Sequence, residues 1–294
     1  MAYRIVKISN RCKLETSLGY LVVRNETETR ILLDEISILI VECLQTCLTS
    51  ALISELMNHK VRVIFCDEKH NPQGEIEPYG ACYNSPSKIK HQLNWDKDVC
   101  DCVWREIIRL KIHNQAEVLK RMSIDDRLSL LTQYESEVLS GDSSNREGMA
   151  AKVYFNGAFG NDFERRNDKD IRNTFLNYGY SLMHSSVNKD ISIYGYLNSV
   201  GIHHIGETNH YNLGSDIMEP LRPFVDWIVL KESLSEETYK KRMLLLLTEE
   251  CLCGGKRMII QNAITSYVQS VLSSLNNGDL TAIKNIGFAD ATEL

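Results

Sequence analysis

The segment Asn145-Arg146-Glu147-Gly148-Met149-Ala150-Ala151-Lys152-Val153-Tyr154-Phe155 puts a single acid where an apolar helix face is being built. At helical spacing Glu147 shares its face with Ala150, Ala151, Tyr154 and Phe155. A carboxylate on such a stripe costs several kcal/mol in desolvation unless something positive meets it. Two alanines one turn later leave room for that partner. Downstream, His203-His204 and the run Asp216-Ile217-Met218-Glu219-Pro220-Leu221-Arg222-Pro223 supply more donor side chains. A hard divalent ion used in phosphoryl chemistry takes carboxylate oxygens, waters and substrate phosphate oxygens. One imidazole in the set suits Mn²⁺ as well as Mg²⁺ and argues against calcium. Such an ion lowers the pKa of an attacking hydroxyl or water and offsets charge gathering on the phosphorus oxygens.

Each of these residues also has a plainer role when taken singly. Glu147 stands at a helix start, where the dipole already favours negative charge. Asp216 and Glu219 are three apart and share a helix face beside Arg222, the pattern of a surface ion-pair cluster. The Glu219-Pro220 step biases Glu219 toward extended geometry, as at a helix start or kink. Of His203 and His204, at most one can face a given site. The metal reading therefore rests on their combination. Among groups suited to phosphates and unpaired bases, Arg165 and Arg166 follow the Glu147 helix. Asn173, Asn177, Tyr178 and Tyr180 form a polar-aromatic helix face, and Arg222 lies one turn beyond Glu219. Arg146 adjoins Glu147 itself. The chain has no Gly-rich phosphate loop, no dinucleotide fingerprint and no G-x-S-x-G elbow.

These residues need elements to carry them, and the sequence has two textures. Up to about Pro78, short strands rich in Val, Ile and Leu are expected at residues 4–9, 18–24, 30–33, 36–41 and 61–66. Asn10, Gly19, Asn25 and Asp34 punctuate them. One helix, about residues 50–58 with Thr49 or Ser50 as its cap, interrupts them. Asn71-Pro72-Gln73-Gly74 and Pro78-Tyr79-Gly80 through Ser85-Pro86 hold three of the five prolines and read as a linker. After Ser87 the spacing is helical. Trp104, Ile107, Ile108, Lys111, Ile112 and Gln115 mark one long helix. Further helices are expected at about 125–139, 146–158, 168–187, 189–200, 216–231, 235–250 and 254–276, with residues 286–294 frayed. The expected fold is α+β: a small N-terminal β-sandwich-like domain (1–86, linker included) followed by a larger all-α catalytic domain (87–294).

The 294 residues, 43% hydrophobic and 24% charged, are ordinary for a soluble globular protein of one large or two moderate domains. Residues 1–90 are electrically balanced, and the whole net charge of −6 falls in residues 91–294. That acidity fits carboxylates waiting for a cation, and it excludes indiscriminate nucleic-acid binding through bulk charge. Nine cysteines, paired only as Cys100-Asp101-Cys102 and Cys251-Leu252-Cys253, do not match a zinc or disulfide framework and read as ordinary thiols in a reducing compartment. No signal peptide or membrane-length apolar run is read, so a cytoplasmic location is expected.

Several blocks together resemble a known family. They are Gly141 to Phe155 (GDSSNREGMAAKVYF), Phe159-Gly160-Asn161-Asp162-Phe163, Leu176-Asn177-Tyr178-Gly179-Tyr180, and Gly201-Ile202-His203-His204 followed by Asn212-Leu213 and Asp216 to Pro223. Ile64-Phe65-Cys66-Asp67 through Pro72 adds to them. The chain resembles, essentially end to end, the CRISPR-associated integrase that catalyses spacer acquisition, in its type II-A form. The resemblance implies metal ligands at Glu147, His204 (with His203 one register away) and Glu219, where many relatives carry Asp. It makes Asp216 a supporting acid, and Asn145 a further supporting residue. It implies Mg²⁺ or Mn²⁺ as cofactor and a homodimer built largely through the N-terminal domain. Two such dimers would flank a dimer of a small ferredoxin-like partner subunit on double-stranded DNA with 3′ overhangs. The implied reaction joins each 3′-hydroxyl of the fragment to a phosphodiester at the leader-repeat boundary of CRISPR repeat DNA. In the type II setting the effector nuclease and a DNA-end-binding ring protein are further implied partners. Two other readings stand beside it: a structure-specific nuclease cutting branched DNA, and a non-catalytic DNA-holding scaffold.

Overall fold

The computed structural model describes residues 4–68, 72–76 and 85–289. It divides into two compact units, Met1–Tyr79 and Gly80–Leu294. Residues 77–84, before the boundary expected at 86/87, lie outside the described ones.

In the first unit the strands are β1 (Arg4–Ile8), β2 (Lys13–Ser17), β3 (Tyr20–Arg24), β4 (Glu28–Leu32), β5 (Ile36–Val41), β6 (Cys47–Leu48), β7 (Arg62–Cys66) and β8 (Pro72–Glu75), with α1 (Ser50–Asn58) between β6 and β7. They form two four-stranded sheets, β1-β5-β7-β8 and β4-β3-β2-β6. Leu14 and Leu21 of one sheet, Ile36, Leu39, Val41 and Val63 of the other, and Leu52 and Leu56 of α1 share one core. This is the sandwich-like layering expected from the sequence. One sheet, however, is built around parallel pairs: β5 pairs in parallel with both β1 and β7. Parallel neighbours need a long crossover, and α1 lies in the one that joins β5 to β7. The near-continuous apolar run ISILIV of β5, broken only by Ser37, is the signature of a strand covered on both faces, and all six residues are buried. Thr49 caps α1 by accepting from the Leu52 N–H. Pro72-Gln73-Gly74, read as linker, belongs to the edge strand β8, where a residue without an N–H is tolerated. Asn71 and residues 78–80 of that reading lie outside the described residues.

The second unit contains α2 (Ser85–Gln92), α3 (Lys97–Arg121), α4 (Asp125–Ser136), α5 (Arg146–Ala158), α6 (Ile171–Ile193), α7 (Asn212–Ile217), α8 (Arg222–Lys231), α9 (Tyr239–Leu246) and α10 (Ile260–Asn277). Among the described residues no helix is long and apolar enough to cross a membrane. The eight cysteines among them are free thiols.

The second unit is helical as expected but not wholly so. β9 (Glu250–Cys253) pairs with β10 (Lys256–Ile259) and with β11 (Ile286–Phe288) in a small antiparallel sheet. The helices expected at 235–250 and 254–276 therefore stop at Leu246 and start at Ile260. Ile286–Phe288 is paired backbone where fraying was expected, because β9 offers it an edge. The two helices expected at 168–187 and 189–200 are one continuous helix, α6. Asn188 and Asp190 are buried inside it. The helix expected at 216–231 is divided by a 3₁₀ turn, Glu219–Leu221, because the proline ring of Pro220 conflicts with an uninterrupted α-helix through Glu219.

α3 is the central element, with Val103, Trp104, Ile107, Ile108, Ile112, Val118 and Leu119 buried. Asp96 caps its start, accepting from the N–H groups of Asp98 and Val99. α6 packs closely against α8 and α9 at Gly179, where an added Cβ would sit 2.4 Å from a Val225 methyl and 3.0 Å from the Met243 sulfur. His184 of α6 lies beside α7, 3.4 Å from the Ser215 hydroxyl, and burial holds its imidazole down at about 4.

Two consequences are testable. Gly179→Ala overpacks this contact and is expected to cost about 1–3 kcal/mol in urea unfolding, whereas an unchanged midpoint would contradict the close approach. Because the folded-state pKa of His184 lies below its unfolded value, the neutral imidazole contributes stability above about pH 6.5. That contribution is lost as pH falls toward about 4. His184→Gln should flatten this part of a stability-against-pH curve, and an unaltered slope would show that another group carries it.

Candidate active site

Glu147, the acid on an apolar face, finds its positive partner in Lys111. Lys111 projects from the buried stripe of α3, one turn before Asn114 and two turns after Trp104. Its Nζ lies 2.6 Å from Glu147 Oε1 on α5 and 2.5 Å from Glu219 Oε2 at the 3₁₀ turn. Three separate elements thus meet at one ammonium. The Lys111 and Glu219 side chains are only 9% and 4% exposed, while Glu147 is 28% exposed and marks the open side. Burial works against charge on Lys111, but the carboxylates of Glu219 and Glu147 outweigh it and hold the ammonium above the ordinary lysine range. Burial likewise opposes ionisation of Glu219; Lys111 and Arg222 overcome it and keep the carboxyl near 2.

Local structure explains how the acids come to these places. The chain enters α5 through Asn145, whose backbone is left-handed (φ 53°, ψ 42°) and whose side chain makes no capping bond. Asp142 does the capping: its two oxygens accept from the N–H groups of Arg146 (2.8 Å) and Glu147 (3.0 Å). Glu147 therefore sits in the first turn, at the positive end of the helix dipole. Glu219 opens the 3₁₀ turn, and Arg222 Nε donates to its Oε1 at 2.8 Å. Asn114 of α3 secures the same turn, donating to the carbonyls of Pro220 (2.8 Å) and Ile286 (2.9 Å).

Asp216 is fully buried and acts as an anion cradle turned inward. Its oxygens accept from the backbone N–H groups of Ile202 (2.7 Å), His203 (3.1 Å) and His204 (3.0 Å), and one meets His204 Nδ1 at 2.6 Å. Gly201 is needed for this wrap, because a Cβ there would lie 2.4 Å from the His204 carbonyl oxygen and 2.7 Å from Asp216 Oδ2. The hydrogen bond to Asp216 raises the pKa of His204 against the opposing effect of burial, and the charges of Asp216, Glu219 and Glu147 add to the rise. His203 and His204 are used differently. His204 is oriented by a carboxylate through Nδ1, leaving Nε2 for another partner. His203 stacks flat on Trp104, with ring centroids 4.1 Å apart and planes 7° from parallel.

Glu147 and Glu219 thus come together, and Asp216 holds His204 nearby. Among the described residues, no three His, Cys, Asp or Glu side chains converge closely enough to hold an ion. The donor chemistry nevertheless fits a hard divalent ion. Two carboxylates already share a cation, and Glu219 Oε2 is buried with no hydrogen-bond partner of acceptable geometry, although Lys111 Nζ is close. An oriented imidazole completes an oxygen-rich set with one nitrogen.

The residues expected to hold DNA are arranged unevenly. Arg165 donates to Asn173 and Asn177, at 2.7 and 2.8 Å, and lies over the Tyr180 ring. Arg222 lies over the same ring, with its guanidinium carbon 4.8 Å from the centroid. Arg166 and Asn177 are exposed. Arg146 turns away from Glu147 to pair with Glu137 at 2.8 Å and to cover Tyr134. Tyr178 corrects the expectation most clearly: it is 2% exposed and packs edge-on against Tyr239, so it presents no face to a base.

Sequence reasoning missed three features. Lys111 was legible as a charge inside an otherwise apolar stripe. Asn114, one turn on, carried no signal of its own. Asp226, alone in the apolar run of α8, accepts hydrogen bonds from Tyr154 (3.0 Å) and Tyr180. Its burial pushes the carboxyl up to about 6, against the pull of the two hydroxyls.

Residues 6–243 match the family model described as CRISPR associated protein Cas1. The CRISPR-associated endonuclease Cas1 of Neisseria meningitidis serogroup C (strain 8013) is 36% identical over 231 residues, covering 78% of this chain and 76% of that protein. Two solved structures share the fold at TM-score 0.72. A casposase bound to its integration product is 20% identical over 95% of this chain and 92% of its own. A chain of a Cas6-RT-Cas1–Cas2 complex is 19% identical and covers 99% of this chain, which spans 36% of that longer one. From the family match and the extent of the Neisseria relative, the chain belongs to the CRISPR-associated Cas1 family.

Proposed function

We infer that this chain is a divalent-cation-dependent DNA integrase and endonuclease. In this reading it inserts short DNA fragments into a CRISPR array, by attack of each fragment's 3′-hydroxyl on a phosphodiester at the leader-repeat boundary. One observation carries the reading: in a chain of the Cas1 family, Glu147 and Glu219 converge on one cation from different elements. Family membership, the endonuclease name of the Neisseria relative and the shared fold with a casposase on its integration product all support it.

Glu147, His204 through Nε2, and Glu219 would hold Mg²⁺ or Mn²⁺, which supplies Lewis-acid stabilisation of the phosphoryl oxygens and a more acidic nucleophile. The chain's own residues do the rest. Asp216 fixes the His204 ring, so that its second nitrogen points one way whatever the substrate does. Arg222 holds Glu219 ionised and leaves part of its guanidinium, stacked on Tyr180, for a phosphate. Arg165 on the same ring, and the exposed Arg166, extend a basic rim beside an otherwise acidic unit. The substrates in this reading are double-stranded DNA with 3′ overhangs and CRISPR repeat DNA. The assembly is a homodimer joined to a small partner subunit, supported by a solved complex in which a Cas1 portion of this fold accompanies Cas2.

Hydrolysis of branched DNA uses the same ligands with water in place of the 3′-hydroxyl, and the endonuclease name of the relative favours keeping it as a second activity. A strand-transfer assay separates the two. A fragment with free 3′-hydroxyls is expected to be joined to repeat DNA in Mg²⁺ or Mn²⁺, and a 3′-blocked fragment is not. Equal product from both would exclude integration. Glu147→Ala and Glu219→Ala should abolish joining while leaving DNA binding intact, whereas full joining in Glu147→Ala would favour a scaffold. Asp216→Asn, which spoils the orientation of His204, should lower activity by about 10–100-fold. His204→Ala should damage joining more than His203→Ala, and the reverse order would exchange their roles.

A further inference from the structure

We propose that Lys111 is a built-in cation that occupies the ion's place in the metal-free protein and must leave it when the divalent ion binds. The inference rests on the metal reading above and adds a competitor within the chain itself.

The Lys111 ammonium contacts one oxygen from each of the two carboxylates offered as ligands, at 2.6 and 2.5 Å, where an ion joining Glu147 to Glu219 would sit. Its charge is shared between two carboxylates that come from different elements, as a bridging ion's would be. Charge balance points the same way. Glu147 and Glu219 are matched by Lys111 and Arg222, so the buried group is neutral as it stands. A divalent ion added beside an unmoved ammonium would leave this pocket at +2 and press two like charges together in a poorly solvated place. If Lys111 leaves instead, the ion, Arg222 and the two carboxylates carry only +1, and Asp216 lies behind His204 to offset it.

Lysine suits such a role. Its charge is a single point on a flexible four-carbon stem, able to swing where a forked guanidinium would stay bound. Glu147, more exposed than either neighbour, marks the side on which the ammonium can reach water. Occupation by Lys111 taxes metal affinity by the fraction of molecules in which the place is free.

The test is Mn²⁺ binding by isothermal titration calorimetry to the full chain and to Lys111→Met, which keeps the stem and removes the charge. Lys111→Met is expected to bind Mn²⁺ at least about tenfold more tightly. In EDTA it should melt at a lower temperature than the parent chain, with a larger rise on adding Mn²⁺. A second readout uses the unaltered protein, in case the variant does not fold. Lys111 should be protected from amine acetylation in EDTA and modified several-fold faster in saturating Mg²⁺, while other lysines stay constant by mass spectrometry. An equal or weaker affinity in folded Lys111→Met, or unchanged acetylation of Lys111 in the saturated parent chain, overturns the proposal. Failure of the metal reading is distinguishable. In that case neither protein would show Mn²⁺ binding that Glu147→Gln and Glu219→Gln remove.

Discussion

Two ionised carboxylates brought to one poorly solvated point need a positive charge between them, and the second unit of this protein is arranged around that constraint. Lys111 answers it from the middle of α3, where it meets Glu147 of α5 and Glu219 of the turn before α8. Removing one partner from such a buried group typically costs about 3–5 kcal/mol, because the remaining charge is left unpaired. A loss of that size is a large part of a domain's whole stability. The contact therefore ties three elements together and aims both carboxylates at one point. The candidate site and the fold share the same electrostatic group.

The remaining elements keep this group from drifting. Asn114 bonds the carbonyls on either side of it, one in the Glu219 turn and one in β11, so the small sheet is fastened to the site through α3. Asp216 gathers three successive N–H groups and one imidazole, which turns the irregular segment before α7 into a rigid mount for His204. Tyr180, bonded to Asp226 beneath, carries the guanidiniums of Arg165 and Arg222 over its ring. Each support is a buried polar group whose partners are supplied from a neighbouring element. That is how a helical unit holds side chains more accurately than a loop could.

The sequence made some of this legible and concealed the rest for physical reasons. Glu147 betrayed itself as an acid on an apolar face, and the demand for a positive partner was sound. The partner in the folded chain is Lys111, visible beforehand only as one charged member of an apolar stripe. Periodicity reports that a position is inward, not what it meets there. Ile36 to Val41, apolar but for Ser37, was legible as a strand, whereas β6 and β8 are too short to give a pattern. Asn188 and Asp190 have poor helix propensity, yet tertiary burial overrides propensity inside α6, which runs through the gap expected between 187 and 189. The small sheet was missed because Glu250 to Ile259 sits between two helices and its pairing with Ile286 to Phe288 is non-local. Tyr178 lies beside exposed Asn177 on the same helix, and successive residues on a helix are turned about 100° apart, which carries Tyr178 inward while Asn177 stays in water.

The central claim is that Glu147, His204 and Glu219 serve one divalent ion. Pulsed electron paramagnetic resonance of the protein loaded with a single equivalent of Mn²⁺ tests it most directly, because a coordinated imidazole nitrogen couples measurably to the metal. The account predicts one such nitrogen coupling, lost in His204→Ala and kept in His203→Ala, with no ordered Mn²⁺ signal in Glu147→Gln or Glu219→Gln. A Mn²⁺ spectrum without nitrogen coupling, or one indifferent to both carboxylates, would contradict it.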